Sequence, residues 1–293
     1  MAPAVLALVV LYRPDPALLA GQRAGLADQV DRVVYVDNGD GVAALGLGAG
    51  SPVTRPGDTV IGSGVNVGLA AALNVGLAHA RACDAQQVLL LDQDSVPAAD
   101  LVVALQRALA TDPARAVAAG PAIVDELTGE SEYFARLRLP LNRRIHSAEE
   151  AGAEFFDVDF LITSGTLLDL ALAERVGPMD ESLFIDSLDF DWSFRARAMG
   201  LRLLATFSTT LRHRRGDQVV VTPVGKLRVH SASRMYFMHR NRIRLYRRRY
   251  VPLAWKVHDV GRLVVKLGLL LIFVPGRWDR LRAVLRGIRD GLS

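Results

Sequence analysis

A chain of 293 residues is long for one small domain and short for two large ones, and its 51% hydrophobic content can bury a large core, so one α/β domain plus a tail is expected. The single cysteine, Cys83, excludes an intramolecular disulfide framework and fits a reducing, cytoplasmic setting. The net charge of +4 conceals an asymmetry: residues 1–230 carry 20 basic and 28 acidic side chains (net −8), and residues 231–293 carry 15 and 3 (net +12), which calls for an anionic partner of the tail such as nucleic acid, phospholipid or a polyprenyl phosphate.

The apolar run Val5–Leu11 follows no basic region and is too short for a signal peptide or a membrane span. It reads as a buried parallel strand. Next come a helical pattern over Pro16–Val30 and a strand over Val33–Val36 that ends at Asp37-Asn38-Gly39. A short strand at Val60–Gly62 and an Ala-rich helix over Asn66–Arg81 lead to a strand over Val88–Leu91, which ends at Asp92-Gln93-Asp94-Ser95. Asp100–Ala110 is helical and Val117–Ala122 strand-like. Strands alternating with helices predict a doubly wound, mostly parallel sheet, whose ligands bind past the carboxyl ends of the strands. Residues 125–155 are charged and less periodic, an excursion from the sheet. A strand over Val158–Thr163 then precedes Ser164-Gly165. Helices over Asp169–Val176 and Asp189–Met199 stop at Gly177-Pro178 and Gly200, and Leu201–Phe207 returns as a strand. In the tail, Leu253, Val257, Val260, Val264, Leu267 and Leu271 recur at steps of three and four, as do Trp278, Leu281, Leu285, Ile288 and Leu292. Both are amphipathic helices, separated by Pro275-Gly276; the second carries Arg282, Arg286 and Arg289 beside its apolar stripe.

The polar clusters at strand ends carry the chemistry. Asp92 and Asp94, two residues apart after a buried strand, can converge on one hard divalent cation, although Asp and Ser are also ordinary helix-capping and turn residues. Asp37 after the second strand suits a ribose or base edge, and Asn38-Gly39 equally suits a turn. The segment Gly62-Ser63-Gly64-Val65-Asn66-Val67-Gly68 is Gly-rich but is neither a Walker A nor a G-x-G-x-x-G loop. Asp186, Asp189 and Asp191 surround a helix start, where a carboxylate could accept a proton from a hydroxyl or simply favour the helix dipole. His213, followed by Arg214, Arg215, Gly216 and Asp217, could meet phosphate or metal.

The order of these elements is more specific than any one of them. Val10-Leu-Tyr12-x-Pro14, Val36-Asp37-Asn38-Gly39, Asn66-x-Gly68-Leu69-Ala70-x-Ala72-x-Asn74-x-Gly76, Leu91-Asp92-Gln93-Asp94-Ser95, Thr163-Ser164-Gly165, Phe184-Ile-Asp186-x-x-Asp189-x-Asp191-Trp192 and His213-x-x-Gly216 occur in series. The series resembles the family 2 glycosyltransferases, and within them the bacterial rhamnosyltransferases, over roughly residues 4–250. The resemblance implies a GT-A fold, a Rossmann-like mostly parallel sheet flanked by helices, over residues 1–230, with residues 231–293 as a basic amphipathic helical tail. It implies inverting transfer of a sugar, foremost L-rhamnose from dTDP-rhamnose, to a hydroxyl of a glycan or polyprenyl-linked acceptor, with Mg²⁺ or Mn²⁺ as cofactor. UDP-galactofuranose or a UDP-hexose is the alternative donor.

By the same resemblance, Asp189 is the catalytic base, and Asp94 and His213 serve the metal. Tyr12, Pro14, Asp37, Asn38, Asn66, Gly68, Asp92, Gln93 and Arg240 serve the donor, Arg240-Asn241 resembling an Arg-Asn pair of the subgroup, and Ser164, Gly165, Asp191 and Trp192 serve the acceptor. The subgroup commonly has Tyr-Val where this chain has Ser187-Leu188, and often Glu at Asp191, departures that imply different acceptor contacts. A lipid-linked acceptor would place the chain at the inner face of the cell membrane with its tail on the headgroups; packing onto the catalytic domain or a homodimer contact is the alternative role for the tail. A sugar-phosphate nucleotidyltransferase would want a Gly-rich, Arg-containing loop after the first strand, and Tyr12-Arg13-Pro14-Asp15 is not one. A basic adaptor binding RNA through Arg240–Arg249, with Tyr246 and Tyr250 stacking on bases, leaves the acidic clusters unexplained, so no nucleic-acid partner is expected.

Overall fold

Alternate residues of the first strand point into two different apolar layers, and this decides the architecture. In β1 (Val5–Leu11), Leu6, Leu8 and Val10 face one core; Val5, Ala7, Val9 and Leu11 face the other. A strand buried on both faces must lie inside a sheet covered by helices on both sides. The structure, a computed structural model, describes residues 4–39, 45, 54–62, 64–126, 129–213, 218–222, 225–274 and 276–293.

After β1 come α1 (Pro16–Gly25), β2 (Arg32–Asp37), β3 (Thr59–Gly62), α2 (Leu69–Ala82), β4 (Gln87–Asp92), β5 (Val96–Pro97), α3 (Leu101–Ala110) and β6 (Ala116–Asp125). A small excursion holds the hairpin of β7 (Phe134–Arg136) and β8 (Arg143–Ile145), then α4 (Ala148–Ala151). The chain returns through β9 (Phe155–Val158), β10 (Leu167–Asp169), α5 (Leu170–Val176), α6 (Leu188–Ala198) and β11 (Arg202–His213). It ends with the hairpin of β12 (Gln218–Thr222) and β13 (Gly225–Val229), then α7 (Ala232–Tyr246), α8 (Leu253–Phe273) and α9 (Arg277–Leu292).

The main sheet has the order β3-β2-β1-β4-β10-β6-β11-β5, with β9 also on β11. Pairings β3–β2, β2–β1, β1–β4 and β6–β11 are parallel; β10, β5 and β9 run antiparallel to their neighbours. On one face α2 packs Ala70, Leu73 and Leu77 against Leu8, Val34 and Leu90, joined by Leu188 and Phe194 of α6. On the other, Leu19 of α1 and Leu101 and Leu105 of α3 pack against Val9, Tyr35 and Leu91.

The expected elements shift at their ends for local reasons. The helix expected over Asn66–Arg81 starts at Leu69, because Gly68 takes φ +91° and breaks the helical path. The helix expected to reach Val30 ends at Gly25. The strand expected over Val158–Thr163 lies earlier, at Phe155–Val158, where it pairs with Leu203–Thr206. The strand expected to stop at Phe207 continues to His213 after an irregularity between Thr206 and Thr210.

The segment after residue 230 is not a detached tail in its packing. Leu245, Val251 and Trp255 join the same buried cluster as α2 and α6. Met235, Leu270, Val274 and Val284 tie α7, α8 and α9 together.

Candidate active site

Register aligns the carboxyl ends of three central strands. Val10 lies beside both Val36 and Asp92, and Leu11 beside Asp37, so Tyr12, Asn38 and Gln93 emerge together at one edge. The Gln93 side-chain amide donates to the Tyr12 carbonyl and accepts from the Tyr12 N–H, each at 2.9 Å, which ties the loop after β1 to the turn after β4. Pro14 lies half-buried in that loop. Asn38 Oδ1 accepts the Val67 N–H at 2.9 Å and Asn66 Oδ1 the Gly68 N–H at 3.0 Å, so both amides shape the entrance to α2. Asp37 accepts the Gly39 N–H at 2.8 Å.

The turn from β4 to β5 and the end of β11 meet because β5 pairs antiparallel with β11, Val96 beside Arg212 and Pro97 beside Leu211. That register delivers His213 onto the two aspartates. His213 Nε2 stands 3.6 Å from Asp92 Oδ2, and Nδ1 3.3 Å from Asp94 Oδ1. One ligand atom from each of Asp92, Asp94 and His213 lies within 4.8 Å of the others. Two carboxylates and an imidazole are a donor set for a hard or borderline divalent cation, so the residues fit the Mg²⁺ or Mn²⁺ expected from the sequence. The turn beneath is rigid: Ser95 Oγ lies 2.6 Å from Ser164 Oγ and 3.1 Å from His213 Nδ1, and Ser164 Oγ accepts the Asp92 N–H at 3.0 Å. Buried Gln22 of α1 donates to the Asp92 and Ser95 carbonyls at 2.7 and 2.8 Å.

Asp189 sits half-buried in the first turn of α6, its Oδ1 accepting the Phe190 N–H at 2.9 Å. The preceding loop takes positive φ at Phe184 (+63°), Asp186 (+64°) and Ser187 (+66°), none of them glycine. Phe184 closes over Gly68, where any Cβ would come within 2.5 Å of the ring, and its carbonyl accepts the Ala70 N–H at 3.3 Å. The loop bearing Asp189 therefore rests on the amino-terminal end of α2, which belongs to the same carboxyl edge as the aspartate–histidine cluster.

No family model matches the chain. It is 27% identical over 291 residues to the dTDP-rhamnosyl transferase RfbF of Shigella flexneri, an alignment that takes in 98% of this chain and 95% of that protein. The chain has the GT-A fold. Its fold matches a crystal structure of GalNAc-T7 with UDP, GalNAc and Mn²⁺ at a TM-score of 0.63 and 14% identity, over 89% of this chain and 51% of that one. It also matches S. aureus TarS at 0.57 and 14%, over 96% of this chain and 49% of that one. The chain thus spans about half the length of those two chains, and 81% of the shorter TarS 1–349, which it matches at 0.56. The full-length likeness to a rhamnosyl transferase agrees with the resemblance read from the motif series.

Several residues stand elsewhere than the sequence led us to expect. Asp191 is fully buried; it pairs with Arg195 at 3.0 Å and with Arg248 and Tyr250, so it cannot face an acceptor. Burial first, then the Asp191 carboxylate, push the Tyr250 hydroxyl up to about 12. Trp192 is buried as well, its indole N–H on the Gly177 carbonyl at 3.1 Å. Ser164 is buried under the turn 92–95, and Gly165 (φ +84°) turns the chain so that its N–H reaches the Leu90 carbonyl at 2.7 Å. These four residues are core and brace because the helix α6 and the turn before β10 face inward there. Arg240, expected near the donor, instead donates to the Ser182 and Leu183 carbonyls at 2.7 and 3.1 Å. Ser63, Arg214, Arg215, Gly216, Asp217 and Pro275 lie outside the described residues. Sequence reasoning missed Gln22, whose signal was a polar residue in the apolar phase of a helix, and the contacts of Arg234; it singled out Asn241 only with Arg240, as a pair near the donor, and not as a partner of the loop carbonyls.

Proposed function

We propose that the enzyme transfers L-rhamnose from dTDP-rhamnose, with inversion, to a hydroxyl of a lipid-linked surface glycan. The observation that carries this reading is the convergence of Asp92, Asp94 and His213 at the strand edge on which the Asp189 loop also rests. The donor identity is supported by the full-length likeness to a protein named as a dTDP-rhamnosyl transferase.

Asp94 and His213, with Asp92 beside them, would hold Mg²⁺ or Mn²⁺. When bound, that ion supplies charge neutralisation for a nucleoside diphosphate leaving group. Asp37 would meet the ribose or base, and Asn38, Asn66 and Gly68 shape the floor on which the donor lies. The acceptor oxygen forms its bond to the anomeric carbon on the face opposite the diphosphate. The bond from that carbon to the phosphate oxygen breaks, and its electron pair leaves on dTDP. The proton of the acceptor hydroxyl passes to the Asp189 carboxylate. The oxocarbenium-like transition state is of the kind met in inverting glycosidases, without a protein acid for the leaving group.

The lipid-linked acceptor brings the enzyme to a membrane. No helix among the described residues is long and apolar enough to cross one. Leu253, Val257, Val260, Val264 and Ile272 of α8, and Trp278, Leu285 and Leu292 of α9, are exposed, as are Arg282, Arg286 and Arg289 of α9. Exposed apolar side chains and exposed arginines on the same two helices suit the headgroup region of an anionic bilayer.

Calorimetry with dTDP-rhamnose, UDP-galactofuranose and UDP-glucose, each with and without Mn²⁺, tests the donor; metal-dependent binding of dTDP-rhamnose alone is expected. Asp94→Ala should weaken that binding at least about tenfold. Asp189→Asn should keep it while losing roughly 10²- to 10⁴-fold in turnover. Full turnover in Asp189→Asn removes the base assignment.

A further inference from the structure

We propose that Asn241 is a positioning residue for the catalytic base, acting through the loop 183–187; the inference rests on Asp189 being that base. Three non-glycine residues in the left-handed region within four positions form a segment that persists only where its surroundings over-determine it. The helix that follows does not fix itself. Ser187 occupies the N-cap of α6, yet its side chain makes no capping hydrogen bond. The hold comes instead from α7, which lies far along the chain.

Asn241 is fully buried, so it touches no substrate. Its Nδ2 donates to the carbonyls of Leu183, Ile185 and Asp186 at 2.8, 2.8 and 2.9 Å. Its Oδ1 accepts from Arg240 Nε and Nη2 at 3.1 and 3.0 Å, which fixes which end of the amide faces the loop. Arg240 also reaches the Ser182 and Leu183 carbonyls, and Arg244 the Ser182 carbonyl at 2.8 Å. Arg234 pairs with the Asp186 carboxylate at 3.1 Å, and Phe237 stacks on Phe184 with centroids 4.9 Å apart.

A primary amide is what this place requires. Its nitrogen offers protons to carbonyls that point at one another, while its oxygen meets a guanidinium. An aspartate of the same shape would set a negative oxygen against three carbonyls. The carbonyls so held belong to the residues just before Ser187 and Asp189. Loss of the amide lets the loop relax from its left-handed path and turns the first turn of α6, with the base on it. A misplacement of about 1 Å at a reacting group can cost roughly 10²-fold in rate.

The test uses the full chain with Mn²⁺ and measures dTDP released from dTDP-rhamnose with water as acceptor, per site titrated calorimetrically with dTDP. Asn241→Asp and Asn241→Ala should lower kcat roughly 10- to 100-fold and leave the donor KM and the dTDP affinity within about threefold. Arg234→Gln, at the solvent side of the same loop, should lower kcat by a few-fold and serves if the Asn241 variants do not fold. The double variant Asp189→Asn with Asn241→Asp should be no slower than Asp189→Asn alone, since the amide acts through the base. Wild-type kcat per dTDP site in the variants, a parallel loss of dTDP affinity, or additive losses in the double variant each overturn the positioning role. Undiminished turnover in Asp189→Asn alone overturns the base reading instead, so the two failures are told apart.

Discussion

At the scale of single residues, burial and partners decide what a polar side chain can do. Asp191 and Asp189 are two positions apart on one helix, but Asp191 is sealed among Arg195, Arg248 and Tyr250 while Asp189 lies at the half-open first turn. Asp180 is held by the same Arg248: burial opposes its charge, yet hydrogen bonds from Ser182 and Arg248 outweigh this and keep its carboxyl below the usual range. His239, on α7 two residues from Asn241, is the residue with a readable pH signature. Burial pushes its imidazole below the ordinary value, Arg242 and Lys266 add to that, and the Met235 carbonyl and Asp259 oppose it. With the folded value depressed, the unfolded chain takes up the proton first as pH falls. Stability is then present above about pH 6.5 and declines below it until the folded imidazole itself titrates. Thermal midpoints between pH 8 and pH 5 should show this decline in the wild type and less of it in His239→Asn; equal slopes would remove the assignment.

At the scale of elements, the helix that carries Asn241 is itself held by close backbone contact. A Cβ at Gly287 of α9 would overlap the Tyr236 carbonyl oxygen and stand 3.1 Å from the Arg240 nitrogen; one at Gly291 would stand 2.6 Å from the Arg240 carbonyl oxygen. The obstacles are backbone, which cannot swing aside. The Tyr236 hydroxyl closes the pair by donating to Asp290 at 2.9 Å. Gly287→Ala must part the helices, and a destabilisation of about 1–3 kcal/mol is expected in urea unfolding. Because α7 bears the loop clamp, turnover should fall more than dTDP binding does. A variant as stable and as active as the wild type would show that α9 does not support the site.

At the scale of the whole molecule, the parallel strands gather Leu11, Asp37 and Asp92 at one edge, and the long β11 returns His213 to it. The apolar stripe of α8 remains outside the core, beside an α9 whose arginines are exposed. Vesicles containing phosphatidylglycerol should bind the enzyme, and binding should weaken as salt rises. Reversing Arg282, Arg286 and Arg289 to Glu should reduce that binding by at least roughly 10²-fold, on about 1 kcal/mol for each basic side chain near an anionic surface. Unchanged binding, or a dimer that covers the stripe in solution, would remove the membrane role.

Much of this was legible in the amino-acid order. Strand and helix periodicities are local, so β1, β4, α3 and α6 could be read almost to the residue, and the polar pairs Asp37-Asn38 and Asp92-x-Asp94 fell where such sheets bind ligands. Spacing could not say which polar residues face inward. Asp191, Trp192, Ser164 and Arg240 carry the side chains of a site, yet the packing of α6, β10 and α7 spends them on core and scaffold. Nor could it show Asn241 beneath the base loop, since that contact joins residues 55 to 58 positions apart. The sequence by itself determined the elements, the sheet class and the aspartates, because each depends on near neighbours along the chain. The tertiary structure alone decided the register that sets His213, expected at the metal from the motif series, against both aspartates, and that α7 grips the loop before Asp189, because both need distant segments brought within a few ångströms.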